Sequence, residues 1–267
     1  PTVVTPAVDS SVNTGTITIT GTKETNTSIL VNGVERVAND ALTTWTISNF
    51  VLAEGLNTFS ILAKDFSSNS STALTYKITY DPLKVYFSTA TQSVAENVGT
   101  VTVTLQLSSV VTADVVVAYT VTGTATGNGT DYTNLASSSF TVPTGQLAVT
   151  KSFTVPNDLG DEDDETVILT LGTPNYGAST GIIVQTITIV DDDTAGVTVS
   201  AISGNTTESG GTATFTVVLT SQPTPSASIA LSSSDTTEGT LSVSSLTFTS
   251  SNWNTAQTVT VTGVDDT

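Results

Sequence analysis

Apolar and polar residues alternate along most of this chain with a period of two. Thr16-Ile17-Thr18-Ile19-Thr20 and residues 100–107, 186–189 and 258–262 each put apolar side chains on one face and mostly threonine on the other. Successive side chains of a strand point to opposite faces, so the pattern predicts strands with one buried and one wet face. β-Branched residues dominate these stretches, as a pleated, half-buried surface favours. No segment carries a convincing helical period. Gly, Asn, Asp and Pro punctuate the strands at short intervals, which is the sequence layout of antiparallel β-sandwiches.

The punctuation sets boundaries near Asp81-Pro82 and Asp193-Thr194, giving units 1–82, 83–193 and 194–267. In the first unit Asn32-Gly33 separates two strand-like runs and signals a two-residue hairpin. Further strands are expected near residues 43–47, 57–63 and 73–80. In the second unit seven strands are expected, near residues 84–88, 100–107, 114–121, 138–142, 148–155, 166–171 and 183–190. The third unit repeats that layout. Thr206-Thr207-Glu208-Ser209-Gly210-Gly211-Thr212 echoes residues 93–100, and residues 259–266 echo 151–158. This internal repeat is the main organisational fact. The third copy stops where its sixth strand is due, so it reads as incomplete and the chain as part of a longer array. Thr18-Ile19-Thr20-Gly21-Thr22, Val31-Asn32-Gly33 and residues 52–57 leading to Ala63-Lys64-Asp65 resemble a bacterial immunoglobulin-like domain of the kind found in surface proteins. The fold class expected is all-β: tandem immunoglobulin-like antiparallel β-sandwiches arranged as an elongated rod, the last domain incomplete.

Charge narrows the function. The net charge is −18, from 24 acids and 6 bases. Nothing here neutralises phosphate, which excludes nucleic acid and disfavours anionic membrane surfaces. The balance favours hard cations with oxygen ligands. No apolar run reaches the ~18 residues of a membrane span, so membrane insertion is not expected. The chain has no Cys and no His. That removes disulfides, thiolate metal sites and the commonest general base. No Ser–His–Asp arrangement is available, and no enzyme activity is expected. Thr/Ser richness without Cys suits an extracellular protein, secreted or on a bacterial cell surface.

The acids of the second unit are not scattered. In a seven-strand antiparallel sandwich the loops after the first, third and fifth strands, and the end of the seventh, fall at one pole. Those loops carry Glu96, Asp131, Asp158, Asp161, Glu162, Asp163, Asp164 and Glu165, and Asp191, Asp192 and Asp193 follow the last strand. Only Asp114 belongs to the opposite pole. Like charges so placed repel by roughly 1 kcal/mol per close pair even in water. Calcium takes 6–8 oxygens from carboxylates and carbonyls in adaptable geometry and would relieve that repulsion; magnesium is stricter. A solvated acidic end is the alternative for residues 161–165 taken alone.

Several segments in order make residues 85–193 resemble the Calx-beta domain, the calcium-binding module of sodium–calcium exchangers, integrin β4 and many bacterial surface proteins. They are Glu96-Asn97-Val98-Gly99-Thr100, Gly123-Thr124-Ala125-Thr126 leading to Thr130-Asp131-Tyr132-Thr133, residues 140–145, residues 158–165 and the closing Ile189-Val190-Asp191-Asp192-Asp193. The resemblance implies Ca2+ ligands at Glu96, Asp131, Asp158, Glu162, Glu165, Asp191, Asp192 and Asp193, with the Gly160 carbonyl. Asn157 stands where the exchanger pattern has aspartate, which puts one ion in doubt. The third unit resembles a divergent repeat, with a weaker site expected from Glu208, Asp235, Glu238, Asp265 and Asp266.

The leading expectation is a calcium-rigidified stalk or adhesion segment of a large bacterial surface protein. Its partners would be neighbouring domains of its own chain and a host or matrix surface ligand. One alternative is a subunit of a calcium-dependent layer or filament that self-assembles through open strand edges. Another is an accessory glycan-binding module using Trp45 and Trp253 as stacking platforms, although buried aromatics are commoner in sandwiches.

Overall fold

The computed structural model describes residues 1–265, and its regular structure is β throughout apart from one short 3-10 turn. The first unit has strands β1 (Thr2–Thr5), β2 (Ser10–Val12), β3 (Thr16–Thr22), β4 (Thr27–Val31), β5 (Val34–Asp40), β6 (Thr44–Val51), β7 (Gly55–Asp65) and β8 (Leu74–Tyr80). They form two sheets, β1-β3-β6 and β2-β8-β7-β4-β5. The inward positions set by the alternation meet between them: Ile19, Ile29, Ile61, Tyr76 and Ile78 are fully buried. The β4–β5 hairpin turns through Asn32 (φ 52°) and Gly33 (φ 80°). Two consecutive positive φ angles are the requirement that makes Asn-Gly so strong a turn signal.

The second unit has β9 (Lys84–Phe87), β10 (Thr91–Ala95), the 3-10 turn Glu96–Val98, β11 (Gly99–Leu107), β12 (Val115–Thr122), β13 (Ser138–Val142), β14 (Ala148–Val155), β15 (Glu165–Pro174), β16 (Ala178–Ser179) and β17 (Val184–Val190). The sheets are β10-β17-β15-β12-β13 and β14-β11-β9-β16. Their inner faces close on Phe87, Leu105, Phe140, Phe153 and Leu169. Phe140 packs on Tyr119 at 4.9 Å and on Phe87 at 6.1 Å between ring centroids. All seven strands expected in this unit are present. Two were not foreseen, β10 and β16, and both pair in parallel, with β17 and β9 respectively.

The third unit has β18 (Val197–Val199), β19 (Thr212–Leu219), β20 (Ala227–Ala230), β21 (Gly239–Leu241), β22 (Ser245–Phe248) and β23 (Gln257–Gly263). They form sheets β18-β19-β23-β21 and β20-β22. Its buried core is small: Val217, Leu246, Phe248 and Val259. Counterparts of β15 and β17 do not occur among the described residues. Residues 266 and 267, including the acid Asp266 expected in a second site, lie outside the described residues.

Of the two Trp stacking platforms, the structure removes Trp45. Trp45 is an inward position of β6, 3% exposed, and its indole Nε1 donates to the Thr22 carbonyl at 3.1 Å. Trp253 is half-buried against the third core. A buried indole with a satisfied N–H is a core residue, so Trp45 cannot serve as a stacking platform, which leaves the carbohydrate reading with Trp253 alone. Phe140 tests the packing of the second unit. Replacing it with Ala should destabilise that unit by about 3–5 kcal/mol, the usual loss for a buried Phe, read as a lower denaturant midpoint for one transition of the chain. An unmoved midpoint would contradict the core described.

Candidate metal centre

Four chain segments reach one pole of the second unit, and strand register explains why. β10 and β17 run parallel and end together, with Ala95 opposite Val190. Glu96 and Asp191 therefore leave the sheet side by side. Glu165 opens β15 opposite Ile189 of β17. β11 begins where β14 ends, Gly99 opposite Val155, which delivers residues 157 and 158 beside Glu96. The Asp158 N–H donates to Glu96 Oε1 at 3.0 Å.

Asp131 is the most distant in topology and is returned by a local device. After β12 the chain passes so close to β15 that a Cβ on Gly123 (φ 130°) would sit 2.0 Å from the Thr166 carbonyl oxygen. Only glycine permits that approach and that φ. The next residues are strapped to the same place. Thr166 N–H donates to Thr124 Oγ1 at 2.8 Å, and Ala125 N–H to the Thr166 carbonyl at 3.0 Å. The loop then closes on itself, with Asp131 N–H donating to the Thr126 carbonyl and Thr126 N–H to Asp131 Oδ2. Its far end is held by the Thr133–Thr154 bridge and by Tyr132 against Phe153. Asp131 ends beside Glu165, the residue preceding Thr166.

The result is two groups of carboxylates. Glu96, Asp192 and Asp193 place donor oxygens within 4.8 Å of one another, and so do Asp131, Glu162 and Glu165. Calcium–oxygen bonds of about 2.3–2.6 Å put two ligands of one ion within roughly 5 Å of each other, so each group has the span of one ion's donor set. Between the groups lies a cavity of about 10 Å3, lined by Glu96, Asp131, Glu162, Asp163, Glu165 and Asp191 with Ile189. That is room for about one water-sized sphere. Asp191 Oδ1 is buried and has no hydrogen-bond partner. A buried, unpaired acceptor is costly unless something bonds to it.

Burial sharpens the conflict. Glu96 is 7% exposed and Asp131 6% exposed. Among the described residues the ion pairs are Lys23–Asp40 and Lys84–Asp81, both away from this pole. Lys151 lies 5.0 Å from the Tyr119 ring centroid, on the sheet. Burial, reinforced by neighbouring carboxylates, therefore raises several acids. Burial and then Asp158, Asp191 and Asp192 raise Glu96. Burial and then Asp158, Asp131 and Asp191 raise Glu162. Asp193 is raised by burial and by Asp191 and Asp192. Glu165 is pushed up to about 7, by burial first, then by its hydrogen bond with Asp131 and the charges of Asp131, Glu162 and Glu96.

Of the acids named from the sequence, Glu96, Asp131, Glu162, Glu165, Asp191, Asp192 and Asp193 meet in these groups or line the cavity. Asp158 stands next to them through Glu96, and its Oδ1 accepts from the Gly160 N–H at 2.7 Å. The Gly160 N–H thus orients Asp158. Asn157 is exposed and turns its amide to the Asp158 carbonyl. Three contributors lie outside the expected ligand set. Asp163 lines the cavity, Asp164 accepts from the Asp191 N–H, and the Asn97 amide holds Asp192. Topology had already placed Asp163 and Asp164 at this pole, and Asn97 neighbours Glu96, so position in the loop was the available signal. In the third unit Glu208, Asp235, Glu238 and Asp265 are exposed, and no group of three acids forms there among the described residues. Asp235 is occupied by a turn, where hydrogen bonds from Thr237 hold its carboxyl below the usual value.

The architecture and the site together define a β-sandwich domain with an oxygen-donor pole suited to a hard cation. The Calx-beta domain family model matches residues 79–200. Ca2+ is the ion that Calx-beta domains bind. The apo form of a Calx CBD1 domain is similar over 42% of this chain and 98% of its own, at 26% identity and TM-score 0.38. A calcium-binding CBD12 of CALX1.1 is similar at 27% identity over 50% of this chain and 57% of that one, TM-score 0.38. A 1.5-MDa bacterial ice-binding adhesin is similar at 17% identity over 93% of this chain and 79% of that one, TM-score 0.30. No curated protein matches. No helix among the described residues is long and apolar enough to cross a membrane.

The raised carboxyls set the sign of a pH effect. A carboxyl whose folded value exceeds its unfolded one holds more protons when folded, so stability falls as pH rises between the two values. For Glu165 that window runs from its ordinary 4.5 to about 7. Asp40, Asp65 and Asp235 are held down instead, and their contribution is already complete above 3.8. The metal-free chain should therefore show a higher unfolding midpoint for its second unit at pH 5 than at pH 7.5. A midpoint that rises with pH would contradict the crowding described.

Proposed function

We propose that this chain is a calcium-rigidified stalk or adhesion segment of a bacterial extracellular protein. In this reading the second unit binds Ca2+ through Glu96, Asp131, Asp158, Glu162, Glu165, Asp191, Asp192 and Asp193, with Asp163 added. The observation that carries it is Asp191 Oδ1, buried without a partner beside a cavity lined by five further acids. No base answers it, and the donors are all oxygen, the set that calcium prefers. The match of residues 79–200 to the Calx-beta family supports the same ion. The role is mechanical and carries no catalysis. The first unit is a bacterial immunoglobulin-like domain in this account.

The site's position supports the stalk role. The acidic loop and the segment that follows β17 are both tied to the third unit. Gln222 N–H donates to the Leu159 carbonyl at 2.6 Å, and Thr220 Oγ1 donates to the Thr194 carbonyl at 2.7 Å. An ion that fastens residues 158–165 to 191–193 fastens two anchors of the next domain with them. Extracellular calcium modules bind at about 10⁻⁴–10⁻³ M, so millimolar external calcium keeps the stalk stiff.

A second reading, a subunit of a calcium-dependent layer or filament, rests on β20. Among the described residues it pairs with β22 alone, whereas its counterpart β12 pairs on both sides, with β13 and β15. An open edge is a template for another strand. Solution scattering separates the readings. The stalk reading expects a monomer whose longest dimension shortens on chelation; profiles identical with calcium and chelator, or calcium-dependent assembly, would contradict it.

A further inference from the structure

The two junctions between units are built differently. β8 ends at Tyr80 and β9 begins at Lys84, leaving only residues 81–83 between them. Asp81 belongs to the first unit, its N–H donating to the Val12 carbonyl at 2.9 Å. Leu83 belongs to the second; it is 0% exposed within that core, and its carbonyl accepts from Ala178 at 3.0 Å. Pro82, half-buried, stands between these two anchored residues. Its ring fixes φ near −65°, and a residue before proline is restricted to extended backbone.

The polar contacts between the two units are weak. A cleft of about 400 Å3, lined by Ser11, Asn13, Thr14, Ser109 and Val110 among others, opens between them. A long hydrogen bond spans them, Tyr176 OH to Asn13 Oδ1 at 3.5 Å. The Lys84–Asp81 ion pair at 3.5 Å is exposed, and exposed pairs contribute little. The second junction contrasts with this. β17 ends at Val190 and β18 begins at Val197, so residues 191–196 connect them. Asp191 is tied to the second unit through Asp164, and Thr194 and Gly196 to the third through Thr220. Asp192 and Asp193 remain between, and both belong to a carboxylate group.

We infer that Pro82, clamped between Asp81 and Leu83, locks the first unit to the second without metal, so that calcium controls bending at the second junction alone. The first half of this inference stands apart from the calcium reading; only the contrast rests on it. Because the chain has no cysteine, introduced pairs report cleanly. Spin labels on Thr18→Cys with Thr141→Cys, and on Thr141→Cys with Thr258→Cys, use exposed positions on either side of each junction. Distance distributions are measured in calcium and in chelator. The first should be narrow in both. The second should be narrow in calcium and broad in chelator. Pro82→Gly should roughly double the width of the first alone, with Pro82→Ala intermediate because alanine frees φ less than glycine. A first distribution that widens on chelation, or that neither Pro82 variant broadens, overturns the inference. If the first stays narrow and the second ignores calcium, the lock stands and the calcium stalk falls.

Discussion

Everything at the pole of the second unit follows from buried negative charge with no positive partner. Two acids there, Glu96 and Asp131, are almost completely removed from water, and the unit's two lysines sit elsewhere. Two unit charges 4 Å apart repel by about 4 kcal/mol at the effective dielectric of a protein surface. Hydrogen bonds from Asp158, Thr126 and Asn97 satisfy some of the oxygens. None of them removes charge. Protons do so partially, which is why Glu165 is raised to about 7. A divalent cation would supply two positive charges at once, and it would give the unpartnered oxygen of Asp191 something to bond.

The sandwich is what makes the crowding possible. Parallel pairing of β10 with β17 brings Glu96 and Asp191 out at one level, although they are far apart in sequence. Antiparallel pairing of β15 with β17 adds Glu165. Gly123 lets the β12–β13 loop lie against Thr166 and returns Asp131 to the same place. The hydrophobic alternation that buries Phe153 and Leu169 thus also decides which carboxylates meet. Through the linker, the same cluster is placed where it can act on the next domain.

Much of this was legible in the sequence because strands have a simple period and an antiparallel sandwich alternates its loops between two poles. Those two facts gather Glu96, Asp131, residues 158–165 and residues 191–193 at one end and leave Asp114 at the other, where it accepts from the Thr144 N–H. The division into two groups was not legible, since it depends on register and on which way each side chain turns. β10 was hidden by its length and its weak sequence, Thr91-Gln92-Ser93-Val94-Ala95. Asn97 was passed over as a neutral residue beside an acid, yet it orients Asp192. In the third unit the pole was foreseen but the acids stay exposed, and Asp235 serves its own turn. Position at a pole is a topological property; each donor set here also has a buried acid, Glu96 or Asp131, which the third unit lacks.

Calorimetric titration of the metal-free chain with calcium, beside an Asp191→Asn variant, tests the central claim most directly. Asparagine keeps the shape of the side chain and one oxygen but removes the charge. The account predicts saturable binding by the parent chain near or below millimolar calcium, weakened about tenfold or more in the variant, the loss expected from one charged ligand at roughly 1.4 kcal/mol per decade. Absence of calcium binding in the parent, or equal affinity in both chains, would contradict it.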